Sequence, residues 1–168
     1  QGEFVISSVG QTLAYNRLDR RLNPSDGYFY RLSNDLAGLG GDREWLRTKI
    51  EAGKYEPFWD GWVASLLGEV GYVTGLGGQD VKISDRFFVG GRDFRGFEVA
   101  GLGPRDTSNN NALGGNFLYK ATTELTFPLG LPKELGIKAR VFSVAGSLQD
   151  VDEDNFQNLS EREINYNK

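Results

Sequence analysis

The sequence predicts an all-β chain, an antiparallel sheet of about six strands with the pattern of a transmembrane β-barrel. Three observations predict it. Apolar and polar residues alternate with a period of two over most of the chain. Several alternating runs reach roughly ten residues, the length a tilted strand needs to cross a bilayer, whereas soluble strands usually run about 5 to 6. Tight connections bearing Pro or Gly are interspersed with one very long connection, and outer-membrane barrels place short turns at one end and long loops at the other.

The elements follow in order. Two weaker runs open the chain, near Phe4 to Arg17 and Gly27 to Ala37. Between Glu44 and Glu56, Leu46, Thr48, Ile50 and Ala52 share one side, with Arg47, Lys49 and Glu51 on the other. Trp62, Ala64, Leu66, Val70 and Tyr72 then share a face, with Ser65 and Glu69 opposite. From Gly115 to Phe127, Phe117, Tyr119, Ala121, Leu125 and Phe127 alternate with Asn116, Lys120, Thr122, Glu124 and Thr126. In the last run Ile137, Ala139 and Val141 oppose Lys138 and Arg140. The tight connections are Asn23 to Gly27, Pro57 to Gly61 and Pro128 to Gly136, and the longest runs from about Ser84 to Gly114. Tyr55, Phe58, Trp59, Trp62, Tyr72 and Phe127 stand at strand ends and are expected to form an interfacial girdle. A soluble β-sandwich also alternates. Its strands are shorter, and it has no reason to gather opposed charges on its polar faces, as a water-filled lumen does.

Composition removes most other readings. The 168 residues allow one domain of ordinary size, and no run approaches the ~20 apolar residues of a spanning helix. Glycine is abundant, 23 residues, roughly twice the usual share of ~7%. Without cysteine or histidine there is no disulfide, thiol nucleophile, Cys/His zinc site or imidazole-dependent triad. No catalytic residue, metal or cofactor is expected. A net charge of −4 advertises no polyanion-binding surface, so nucleic acid is not an expected partner. With no methionine and Gln at position 1, the sequence reads as a piece cut from something longer.

Three motifs are decoys. Asp150, Asp152, Asp154 and Glu161 are spaced like calcium-loop ligands, but Asn155 holds the glycine place and a strand pattern precedes them, so an acidic loop is expected. The glycines at 38–41 and 75–78 fit neither a P-loop nor a dinucleotide fingerprint and read as turns. Asn158, Leu159, Ser160 is a formal glycosylation acceptor that is expected to be accidental in an outer-membrane barrel.

The long connection carries Gly90, Gly91, Arg92, Asp93, Phe94, Arg95, Gly96 and Phe97, then Gly103, Pro104 and Arg105. Arg95, Gly96 and Phe97 in this setting resemble the Arg-Gly-Phe/Tyr signature in the sixth extracellular loop of the BamA/TamA superfamily of surface-antigen barrels. Leu18, Asp19, Arg20 followed by Asn23, Pro24, Ser25, Asp26, Gly27 resembles a turn of its BamA-type members. Gly75 to Gly78 and Gly114, Gly115, Asn116 resemble the borders of the strands flanking that loop. The resemblance covers most of the chain in the right order. It implies that residues 1–168 form one partial outer-membrane barrel domain, roughly the eighth to thirteenth strands of a sixteen-stranded barrel, without the seam strands or POTRA domains. Six strands cannot close a barrel in lipid, so the other strands are expected elsewhere.

The same resemblance implies a function: an insertase that folds and inserts β-barrel proteins into the bacterial outer membrane without enzymatic chemistry. Its implied partners are nascent outer-membrane proteins, the lipid bilayer and, through the full-length protein, the Bam-complex lipoproteins. Phe94, Arg95, Gly96 and Phe97 would be the loop latch. Arg95 would form a charge-assisted hydrogen bond with Glu124, Gly96 would turn tightly against the wall, and Phe94 and Phe97 would pack beneath the loop. Val144 stands where the family has a second acid, so one anchor is missing. Arg47, Lys49, Glu51, Glu69, Lys120, Lys138 and Arg140 are expected only to solvate the lumen. Alternatives are a TamA-like or two-partner secretion pore and, from another class, a soluble β-sheet binding module.

Overall fold

The computed structural model describes residues 5–130, 135–151 and the backbone of 164–166. Six long strands form one antiparallel sheet: β1 (Ser8–Asn16), β2 (Gly27–Ala37), β3 (Trp45–Trp59), β4 (Trp62–Gly75), β6 (Phe117–Pro128) and β7 (Lys138–Gln149), in that spatial order. A separate antiparallel pair joins β5 (Pro104–Asp106) to β8 (Ile164–Tyr166). Both are too short to show a period in sequence. Most of the calcium-like spacing, and all of the glycosylation triplet, lie outside the described residues. No described helix is long and apolar enough to cross a membrane, which says nothing of strands.

Register sorts every side chain onto one of two faces. Lys49 stands opposite Ser33 and Gly71, and Glu69 opposite Glu51 and Lys120. One face therefore collects Arg31, Lys49, Glu51, Glu69, Lys120, Glu124 and Arg140. The other collects Leu13, Ile50, Leu66, Val70 and Val141, all exposed. Among the described residues no second sheet covers this apolar face, as a sandwich would require. The buried residues sit on the charged side instead. Ala37, Trp45, Val73 and Val81 form one cluster, and Val89, Phe94, Leu118 and Leu148 another, with Phe87 packed against both. Each cluster joins the wall to the long connection. The interior is thus an inner wall lined by a returning loop, and the apolar face is the lipid side of an unclosed barrel.

Aromatic residues mark both ends of the lipid face. At the short-turn end Tyr28 lies 6.0 Å from Tyr15 and 5.7 Å from Tyr30, and Trp62 stacks on Phe127 at 4.8 Å and meets Phe58 at 6.1 Å. At the loop end Phe117 lies 6.5 Å from Tyr72 and 5.9 Å from Tyr119. The girdle expectation needs one correction. Tyr55 shares the inward face of Lys49 and Glu51, opposite Ser65, so it belongs to the lumen. Beyond it a register shift between Pro57 and Trp59 re-aims the strand end, and Gly61 supplies the positive φ of 74° that closes the β3–β4 hairpin.

The link 17–26 between β1 and β2 is organised by one carboxylate. Asp19 accepts hydrogen bonds from the Ser25 amide (2.9 Å), the Ser25 hydroxyl (2.6 Å) and the Asp26 amide (3.1 Å). These donors, the Ser25 hydroxyl foremost, hold its pKa down at about 2. A depressed carboxylate contributes stability above its ordinary pKa and loses it as pH falls through the folded value, so the link should loosen between about pH 4 and pH 2. An NMR titration of the Asp19 carboxyl should show a midpoint near 2; an unshifted midpoint would contradict the geometry.

Candidate functional site: the returning loop and its wall

The connection from β4 to β6 leaves the sheet at Gly75, where a Cβ would strike the Gln79 carbonyl. A one-turn 3-10 helix, Ile83–Asp85, follows. Asp85 fastens it to the β2–β3 connection and to the wall. Its Oδ2 lies 2.7 Å from Arg43 Nη1, and its carbonyl accepts from Arg47 Nη2. The Arg47 guanidinium sits 4.8 Å from the Trp45 ring and 5.3 Å from that of Phe87.

Two inward-facing glycines seat the chain as it returns. Gly71 on β4 leaves room for the Phe87 ring, which a Cβ would meet at 2.7 Å. Gly146 on β7 lies under the Phe94 ring, 3.2 Å from where its Cβ would be. Short bridges pair Phe87 with Gly115 and Val89 with Leu102, so the segment runs down the wall and back. Arg86 is buried at the entry and donates Nε to the Val81 carbonyl at 3.0 Å.

At the tip, the Phe97 amide donates to the Phe94 carbonyl at 3.3 Å, and the Gly91 amide to the Phe97 carbonyl at 3.0 Å. Gly96 has φ 99°, and a Cβ there would meet nothing within 4 Å. It therefore serves the turn's backbone conformation and does not press against the wall, which corrects the tight-approach expectation. Phe94 is 5% exposed and packed with Leu118, Leu148 and Val144. Phe97 is 47% exposed and touches Phe94 edge-on at 5.2 Å, so only one of the two phenylalanines packs beneath the loop.

Arg95 Nη1 stands 3.7 Å from Glu124 Oε2. This is an ion pair, longer than the ~2.7–2.9 Å of the charge-assisted hydrogen bond expected from sequence. The same guanidinium lies 4.5 Å from the ring centroid of Phe142, which faces Glu124 across the β6–β7 ladder. The other carboxylate oxygen, Oε1, is 3.1 Å from Arg140 Nε. Val144, where the resemblance led to the expectation of a second acid, contributes an apolar contact to the cluster around Phe94. Sequence reading missed Phe142 as a neighbour of Arg95 and Arg140 as a second partner of Glu124. The signal was the β6–β7 register: Phe142 lies directly opposite Glu124, and Arg140 diagonally on the same face.

Five of the other inward charges, Arg31, Lys49, Glu51, Glu69 and Lys120, are paired rather than merely solvated. Arg31 meets Glu51 at 2.9 Å, and Lys49 meets Glu51 at 3.3 Å and Glu69 at 2.9 Å. Glu69 in turn meets Lys120 at 2.7 Å. Signs alternate along this chain across β2, β3, β4 and β6. Toward the short turns the inner wall opens into a cavity of about 700 Å³, lined among others by Arg20, Tyr55, Ser65, Glu124, Lys138 and Arg140.

Residues 1–165 match the Omp85 superfamily domain. The chain belongs to the Omp85 superfamily. This Omp85 chain is 40% identical over 152 residues to the outer membrane protein assembly factor BamA of Neorickettsia risticii, covering 90% of itself and 20% of that protein. It is 27% identical over 130 residues to the sorting and assembly machinery component 50 homolog of Mus musculus, covering 76% of itself and 27% of that protein. Its fold matches the crystal structure of BamA from Haemophilus ducreyi lacking POTRA domains 1-3, with a TM-score of 0.78 at 22% identity. That match covers 90% of this chain and 32% of the other. The Omp85 chain thus spans about a fifth to a third of the length of these relatives.

Proposed function

We propose that these strands are part of the barrel of an Omp85 insertase that folds and inserts β-barrel proteins into a bacterial outer membrane. Within it, the tip Phe94 to Phe97 acts as a latch on the inner wall. The reading is supported most by one observation: the Omp85-matched wall carries the loop on its inner face, with Arg95 against Glu124 and Phe142. The assembly roles in the names of the BamA and the sorting and assembly machinery relatives favour this over a secretion pore. Nascent outer-membrane proteins are the substrates of this reading, the bilayer its surroundings, and Bam-complex lipoproteins its partners through the full-length protein. The work is mechanical, not enzymatic. The fragment supplies a section of wall and the latch, while the seam strands and POTRA domains belong to the rest of that protein.

The test uses full-length protein in cells depleted of the native copy. Arg95→Ala and Glu124→Ala should each lower outer-membrane protein levels severalfold, at an unchanged level of the variant itself. Wild-type client levels in both variants would overturn the latch.

A further inference from the structure

We propose that Arg140 is a competing counterion for Glu124, one that weakens the loop latch and makes it reversible. The inference rests on the latch reading above. Glu124 offers its two oxygens to two arginines on different supports: Oε1 to Arg140 at 3.1 Å and Oε2 to Arg95 at 3.7 Å. Arg140 belongs to the wall itself, on β7, whereas Arg95 rides on the loop. The tighter of the two pairs is therefore the one that stays when the loop leaves.

The Glu124 side chain is only 14% exposed, and a carboxylate at such a site left without a counterion is costly. With Arg140 in place, departure of Arg95 leaves the carboxylate paired. Arg140 also acts while the loop is docked. It neutralises part of the charge that attracts Arg95 and, being a cation beside the same carboxylate, repels the second guanidinium. The aromatic contact between Arg95 and Phe142 does not involve Arg140, so it remains as the part of the latch that is not shared. Removing the Arg140 charge should consequently tighten the loop. A residue that merely oriented Glu124 toward Arg95 would have the opposite effect.

Hydrogen–deuterium exchange of the segment 91–98, in the full-length protein in lipid nanodiscs, separates these outcomes. Arg140→Gln should slow exchange about threefold to tenfold, and Arg95→Gln should speed it. The double variant should behave like Arg95→Gln alone, because both effects of Arg140, on the shared carboxylate and on the second guanidinium, need the Arg95 charge. Arg140→Met, which keeps the apolar stem, carries the same expectation and is read where the glutamine variant does not fold. Faster or unchanged exchange in the Arg140 variants overturns charge sharing while leaving the latch intact. Unchanged exchange in Arg95→Gln overturns the latch itself.

Discussion

Phe94→Ala should detach the tip of the loop from the wall. Phe94 is the most enclosed residue of the tip, seated over Gly146 among Leu118, Leu148 and Val144. Truncating a buried phenylalanine to alanine costs about 3–5 kcal/mol, from lost transfer free energy and the cavity left behind. The tip has little with which to offset that loss. Its ion pair is 3.7 Å long, half-exposed and shared, and pairs of that kind contribute about 0–1 kcal/mol. Trypsin added to intact cells producing the full-length protein should then cut after Arg92 and Arg95, where the parent protein resists. Phe97→Ala is the internal comparison. That ring is exposed, so cleavage should stay near the parent level. Equal cleavage in the two variants would contradict the assignment of Phe94 as the anchor.

Gly146→Val should strongly disrupt the wall. A Cβ at position 146 would collide with the Tyr119 carbonyl oxygen and lie 2.9 Å from the Lys120 Cα. Both are backbone atoms of β6 and cannot swing aside as a side chain would. The added methyls would also enter the space of the Phe94 ring. Overpacking of this kind costs about 1–3 kcal/mol and occasionally more, and here it acts on both the β6–β7 pairing and the loop seat. The expected result is a large loss of the compact, heat-modifiable band of the full-length barrel on unheated gels. Gly68→Val is the matched control. Gly68 lies outward on β4 with nothing within 4 Å of its would-be Cβ, so that variant should keep the band.

The sheet was legible wherever a strand was long enough to repeat its alternation. The runs around Lys49, Glu69 and Lys120 became β3, β4 and β6 with their faces as read, because one face meets water and the other lipid. The pairing of β5 with β8 was not legible, since three residues hold no period. Tyr55 was grouped with the girdle because it lies at a strand end, yet its own parity with Lys49 and Glu51 placed it inward. At the loop, the motif around Arg95 stood out, but its surroundings did not. The seats at Gly71 and Gly146 depend on which strand faces which part of the loop, and nothing local to either glycine encodes that. The roles of Phe142 and Arg140 depended in the same way on the β6–β7 register.

The two glycine seats have a mechanical consequence. Phe87 rests on β4 and Phe94 on β7, with β6 between them, so one loop fastens strands that are not neighbours. Shear between β4 and β7 must unseat a ring as well as slide a hydrogen-bonded ladder. This side of the sheet should behave as a rigid plate, and flexure should concentrate toward β1, which contributes to neither loop cluster.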